Sequence, residues 1–249
     1  MIHSFLLIGQ SNMAGRGDIS DAVDVDSSRI KVLRNGRWRG MYRPVNPDRE
    51  TAGVNLAERF AELYSKKYNV DVGLIPCADG GTSLNQWRIG GLLFDNAVNN
   101  ARLAQRTSTI AGVLWHQGEG DCTEEDAPLY AKRLVKIFDA LKRELDLYDV
   151  PIVLGELGEY LKNYGEKLKN NYAKINEQLK IVAESDKMYG LASSKGLASK
   201  PDLLHFDSKS LYEFGERYFD EFEKLRKADK VFVDKPCEDD AYRTELEEL

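Results

Sequence analysis

The stretch Ile2–Gly15, IHSFLLIGQSNMAG, decides how this chain is read. Phe5, Leu6, Leu7 and Ile8 form an unbroken apolar run of strand length, the pattern of a strand buried on both faces in a parallel sheet. The run stops at Gly9 and passes through Gln10 to Ser11, and Gly15 closes the segment. Glycine on either side lets the backbone turn tightly, so the hydroxyl is expected at the carboxyl end of the strand, where open α/β sheets bind ligands. That is a nucleophile's position, although a lone Gly-x-Ser serves equally well to cap a helix. Residues far down the chain separate the two readings.

Outward from this segment, Val70–Pro76 (VDVGLIP), Thr109–Trp115 (TIAGVLW), Pro151–Leu154 and Met188–Leu191 read as further core strands. Between them run helical apolar spacings. Leu56, Phe60, Leu63 and Tyr64 mark a helix from near Gly53; Tyr130, Leu134, Ile137, Leu141 and Leu145 mark another. A further helix carries Leu93, Ala97, Ala101 and Ala104, a long one runs from Leu161 and Tyr164 to Val182, and the last presents Leu211, Phe214, Tyr218 and Phe222. Strands alternating with helices predict an α/β fold, a central parallel sheet of about five strands with helices on both faces. Ile30–Leu33 and Arg37-Trp38 flank Asn35-Gly36, which predicts a small hairpin. Asp18–Ser28 lacks the glycine and terminal glutamate of a calcium loop and reads as a solvated connection. One domain is expected over residues 1–230, with an acidic tail over 231–249 in which residues 231–233 (VFV) suit an extra strand.

Composition narrows the partners. The chain has 249 residues, 42% of them hydrophobic, and a net charge of −6 with acids and bases interspersed, so no basic field exists to hold a nucleic acid backbone. The first apolar run is too short to span a membrane and lacks the features of a leader, so neither a membrane nor secretion is expected, and the cytoplasm is the compartment this implies. Cys77, Cys122 and Cys237 are odd in number and unpaired in spacing, as reduced thiols are. No cofactor or metal is expected, since HQGEGD at residues 116–121 with Asp18 or Asp79 has no recognised metal spacing. The oligomeric state is not written in these residues.

Four loops open at the same sheet edge and carry Ser11, Gly80-Gly81, Gln117 and Asp202 with His205. A serine hydroxyl needs a base to accept its proton, and histidine has the pKa for it. The chain has three. His3 precedes the apolar core of the first strand, at the end away from Ser11, and reads as a surface residue. His116 lies in a strand-end loop among residues that suit packing. His205 follows Asp202 by three residues, so one loop can hold a carboxylate against the imidazole, although the same pair also suits a helix cap. Trp38, Trp87 and Trp115 offer faces for a sugar ring or for core packing, and Glu119 and Asp121 suit a sugar, the nucleophile loop or plain surface.

Four blocks, GQSNMAG at 9–15, GGTSLNQW at 80–87, WHQGEGD at 115–121 and DLLH at 202–205, together resemble the SGNH hydrolase superfamily, and within it the sialate O-acetylesterase and acetylxylan esterase branch, carbohydrate esterase family 6. The resemblance implies a three-layer, flavodoxin-like α/β/α fold and a serine esterase that removes O-acetyl groups from a sugar or oligosaccharide without a metal. It implies Ser11 as nucleophile, His205 as base and Asp202 as its orienting acid, with an acyl-enzyme between. The oxyanion donors it suggests are the N–H of Ser11, the N–H of Gly80 or Gly81, and the side-chain amide of Gln117. Gln10, Trp87 and Glu119 are expected on the sugar side. The wider superfamily has aspartate before the serine and asparagine as the third-block donor; glutamine stands at both positions here, as in this branch. Two alternatives remain open: an SGNH lipase or thioesterase, for which no apolar acyl channel is marked, and a silent carbohydrate-binding protein of the same fold, against which the intact Ser11, Gln117, Asp202 and His205 argue.

Overall fold

The computed structural model describes residues 2–226. In chain order its main elements are β1 (Ile2–Gly9), α1 (Ser11–Ala14), β2 (Ile30–Arg34), β3 (Arg37–Gly40), α2 (Leu56–Tyr68), β4 (Asp71–Pro76), α3 (Leu92–Ala104), β5 (Thr109–His116), α4 (Tyr130–Leu145), β6 (Ile152–Gly155), α5 (Glu166–Glu184), β7 (Tyr189–Ala192) and α6 (Ser208–Leu225). The apolar run that opens the chain is buried along its whole length as β1. It occupies the centre of one seven-stranded sheet, ordered β3-β2-β4-β1-β5-β6-β7. Every neighbouring pair is parallel except β2 with β3.

The five expected core strands are β1, β4, β5, β6 and β7. The hairpin makes the sheet larger than expected, because β2 pairs in parallel with β4 and brings β3 with it as an edge strand. Its turn follows from Asn35 and Gly36, both with positive φ, as a tight two-residue connection between twisted strands requires. Helix α2 packs on α6, while α3, α4 and α5 pack in sequence, giving helical layers on the two faces of the sheet.

Local chemistry sets the helix ends. Helix α2 begins at Leu56 rather than near Gly53, because Asn55 and Glu58 form a capping box: Asn55 accepts from the Ala57 N–H and Glu58 accepts from the Asn55 N–H. Gly165 separates Leu161 and Tyr164 from the helix they were expected to open; α5 starts at Glu166, and Leu161 lies in a preceding 3₁₀ turn. His3 is buried rather than on the surface, its ring bonded to the Tyr64 hydroxyl at 2.8 Å. The expected acidic tail and its VFV strand lie outside the described residues.

Candidate active site

Strand β1 ends where β5 ends, and Gly9 makes that meeting possible. Its φ is +134°, and a Cβ there would sit 2.1 Å from the His116 carbonyl oxygen, which instead accepts the Gln10 N–H at 2.8 Å. The chain then turns at once into the four-residue helix α1, of which Ser11 is the first residue. A helix cannot satisfy its own first amides, so the Ser11 N–H has no acceptor within α1.

The loop before α6 comes to meet it. Lys200 donates its N–H to the His205 carbonyl, Ser199 bridges Phe206, and Leu203 turns the loop in the left-handed region with φ +56°. Asp202 Oδ1 accepts the N–H groups of Leu204 and His205 at 2.9 Å each. Its Oδ2 lies 2.8 Å from His205 Nδ1, and His205 Nε2 lies 3.0 Å from Ser11 Oγ. Burial pushes the Asp202 carboxyl up, but the bond from the His205 ring and the two backbone N–H bonds outweigh it and hold the group below its ordinary value. A charged carboxylate on Nδ1 fixes that nitrogen as the protonated one and leaves Nε2 free to accept from Ser11.

Asn12 ties the two halves of the site together, a role its sequence position did not reveal. Its Nδ2 donates to Glu119 Oε1 at 2.7 Å and to the Leu204 carbonyl at 3.3 Å, and its Oδ1 accepts the Phe206 N–H at 3.2 Å. The residue after the serine therefore grips the loop on both sides of His205. Glu119 is only 5% exposed and spends Oε1 on Asn12, so it braces the nucleophile helix, while its Oε2 has no hydrogen-bond partner among the described residues.

The oxyanion expectations divide. The Gly80 N–H is taken, donated to Asp48 Oδ2 at 2.8 Å, and Asp48 is gripped by both ends of the Arg16 guanidinium in a buried ion pair. A Cβ on Gly80 would meet Arg16 Nη2 at 2.5 Å, so the residue is glycine to let this pair approach, not to donate. Gly81, with φ +73°, has no hydrogen bond from its N–H among the described residues. The Gln117 amide faces inward: Nε2 donates to Asp121 Oδ2 at 2.6 Å, the Thr82 carbonyl at 3.0 Å and Gln10 Oε1 at 3.2 Å, while Oε1 accepts from the Tyr130 hydroxyl at 2.9 Å. Two protons already face three acceptors, and the side chain is fully buried, so none is left for an oxyanion.

Gln10 belongs to that internal network, accepting also from Gly118 and Gly120, and it is 4% exposed. Trp87 is equally enclosed, edge-on to Trp115 with its N–H on Thr82, and Trp38 packs over Gly73 at the hairpin with its N–H on Thr107. All three tryptophans are core. His116 is fully buried against Phe206 and Phe214, with Nε2 on the Glu156 carbonyl at 3.2 Å; burial lowers its pKa and its ring serves packing. Asp121 receives the Leu84 N–H as well as Gln117, fixing the loop after Gly81. Cys77 is a buried thiol whose pKa burial pushes up to about 12, an inert neighbour.

Known proteins resemble this chain in sequence and fold. Residues 1–224 match the family described as carbohydrate esterase, sialic acid-specific acetylesterase. The probable carbohydrate esterase At4g34215 of Arabidopsis thaliana is 28% identical over 237 residues, 85% of this chain and 86% of that protein. The X-ray structure of the Arabidopsis thaliana protein AT4G34215 superposes with a TM-score of 0.79 at 26% identity, over 89% of this chain and 97% of that one. NanS shares the fold with a TM-score of 0.69 at 17% identity, covering 90% of this chain and 97% of its own. The chain belongs to the sialic acid-specific acetylesterase family of carbohydrate esterases and is a carboxylic ester hydrolase.

Proposed function

We propose that the protein removes O-acetyl groups from a sugar or oligosaccharide through an acetyl-enzyme on Ser11. The observation that carries this reading is the unbroken line from Asp202 Oδ2 to His205 at 2.8 Å and from His205 to Ser11 Oγ at 3.0 Å. Ser11 Oγ attacks the acetyl carbonyl carbon as its proton passes to His205 Nε2, and the carbonyl oxygen becomes the oxyanion. The Ser11 and Gly81 N–H groups are the donors to it, since both are uncommitted while the Gly80 and Gln117 protons are spent. The tetrahedral adduct collapses, the C–O bond to the sugar breaks, and the sugar oxygen takes the proton back from His205. Water, deprotonated by the same imidazole, then attacks the acetyl-enzyme, and acetate leaves with Ser11 reprotonated. Asp202 stays ionised throughout and steadies the imidazolium.

A polar leaving group suits the mouth. The side chains of Asp202 and His205 are 42% and 18% exposed, so the alcohol side opens to water, whereas the ground behind Ser11 is filled by Gln10, Gln117, Asp121 and Tyr130. The test is turnover of acetylated xylo-oligosaccharides, O-acetylated sialic acid and acetylated glucose, side by side, by the wild type and by Ser11→Ala. A loss of about 10⁴-fold or more in kcat with the best of these is expected. A folded Ser11→Ala protein with near-wild-type turnover overturns the reading.

A further inference from the structure

Beside this site lies an open groove of about 680 Å³, lined among others by Arg34, Arg37, Arg39, Tyr42, Pro47 and Pro76. Its place in the sheet is fixed by strand register. Pro76 ends β4 and pairs with Leu7 of β1, and Arg34 ends β2, which runs parallel to β4, so the groove opens at the same carboxyl edge as Ser11. Pro47 precedes Asp48, the residue that holds the Gly80 N–H. Two strand spacings separate the ends of β1 and β2, about 10 Å.

The lining is strongly one-signed. It holds three guanidinium groups and no carboxylate, in a chain whose net charge is −6. Elsewhere Arg16, Arg29, Arg43 and Arg59 are each paired with an acid, but the side chains of Arg37 and Arg39 have no ion pair or hydrogen bond among the described residues. They sit two residues apart on β3, facing away from the buried Trp38 between them. Arg34 is held in place: its guanidinium stacks 4.3 Å from the Tyr42 ring and donates to the Pro44 and Val45 carbonyls, while its buried Nε has no partner. Charge on an edge strand also guards against pairing with other strands, but that role is met by side chains pointing anywhere into water and needs no groove. Planar guanidinium forks lining one groove are suited to a carboxylate, and the exposed Tyr42 and the two prolines add apolar walls for a sugar ring.

We infer that this groove is a subsite for the carboxylate of an acidic saccharide, lying two to three strand spacings, about 10–15 Å, along the sheet edge from Ser11. The inference deepens the proposed function and rests on it for what occupies Ser11, but binding of the acid does not require an ester. Two acidic probes without acetyl groups, a xylo-oligosaccharide bearing glucuronic acid and sialyllactose, are titrated calorimetrically against the neutral xylo-oligosaccharide and lactose. At least one acidic probe is expected to bind about 10-fold or more tighter than its neutral counterpart, with the preference shrinking as salt is raised. The double variant Arg37→Gln/Arg39→Gln, whose side chains are exposed and unpaired, removes the preference; Arg37→Lys/Arg39→Lys keeps the charge without the fork and restores part of it. Which probe responds tells whether the acid sits on a branch of the chain or on a sialic-type sugar. No preference with either probe, a preference that survives the glutamine variant, or inorganic phosphate binding as tightly with the same arginine dependence overturns the inference. Because no probe carries an ester, these outcomes are separate from a failure of Ser11 turnover.

Discussion

The Ser11 hydroxyl has one proton, and its one close acceptor among the described residues is His205 Nε2, 3.0 Å away. His205→Ala is therefore expected to lower kcat by about 10⁴-fold, measured by steady-state kinetics on p-nitrophenyl acetate, and His116→Ala by far less. A smaller effect at His205 than at His116 would reverse the assignment. Asn12 is buried, and it grips the loop on both sides of the base. Asn12→Ala should cost about 10²-fold in kcat with KM little changed, the signature of a misplaced imidazole rather than a lost sugar contact. His116 acts on stability instead. Burial lowers its pKa, so the unfolded chain binds the proton more tightly; the stability it contributes is full above the unfolded value near 6.5 and declines as pH falls below it. Urea midpoints at pH 7.5 and 5.5 should fall more in the wild type than in His116→Gln, by a slope no steeper than about 1.4 kcal/mol per pH unit. Equal pH slopes would show that the ring carries no such linkage.

Between residues and fold stand the strand-end loops. The loop after β4 is held from beneath by the buried Arg16–Asp48 pair, whose acid keeps the Gly80 N–H. Asp48→Ala leaves a buried guanidinium unpaired and should destabilise the protein by about 3–5 kcal/mol in urea unfolding, with kcat lowered as Gly80-Gly81 loses its anchor. A change within experimental error in both would show that the pair is dispensable. These elements also mark where reading from sequence ends. β1, the Asn35-Gly36 hairpin and the α4 periodicity were legible because each is a local pattern, and so was the Asp202-His205 pairing, which needs only three residues. Asp48 lies 32 residues from Arg16, and Asn12 lies 107 from Glu119, so no spacing betrays either contact. The engagement of Gln117 is hidden in the sequence for a related reason. A glutamine at a strand end looks free until Asp121, Thr82 and Tyr130 are seen to consume its amide.

Across the whole molecule, seven strands bring four loops to one edge, and the residue before Ser11, Gln10, belongs to a buried polar network with Gln117 and Asp121. Acetate is thus expected to exceed butyrate and octanoate in kcat/KM among p-nitrophenyl esters, each mismatch with the small pocket costing about 1–3 kcal/mol. Octanoate turned over as fast as acetate would favour a lipase. The most direct test of the central claim is intact-protein and peptide mass spectrometry after reaction with a fluorophosphonate, which captures an activated serine. The account predicts one adduct per chain, on the peptide containing Ser11, strongly slowed in His205→Ala and absent in Ser11→Ala; an adduct on another residue, or undiminished labelling of Ser11→Ala, would contradict it.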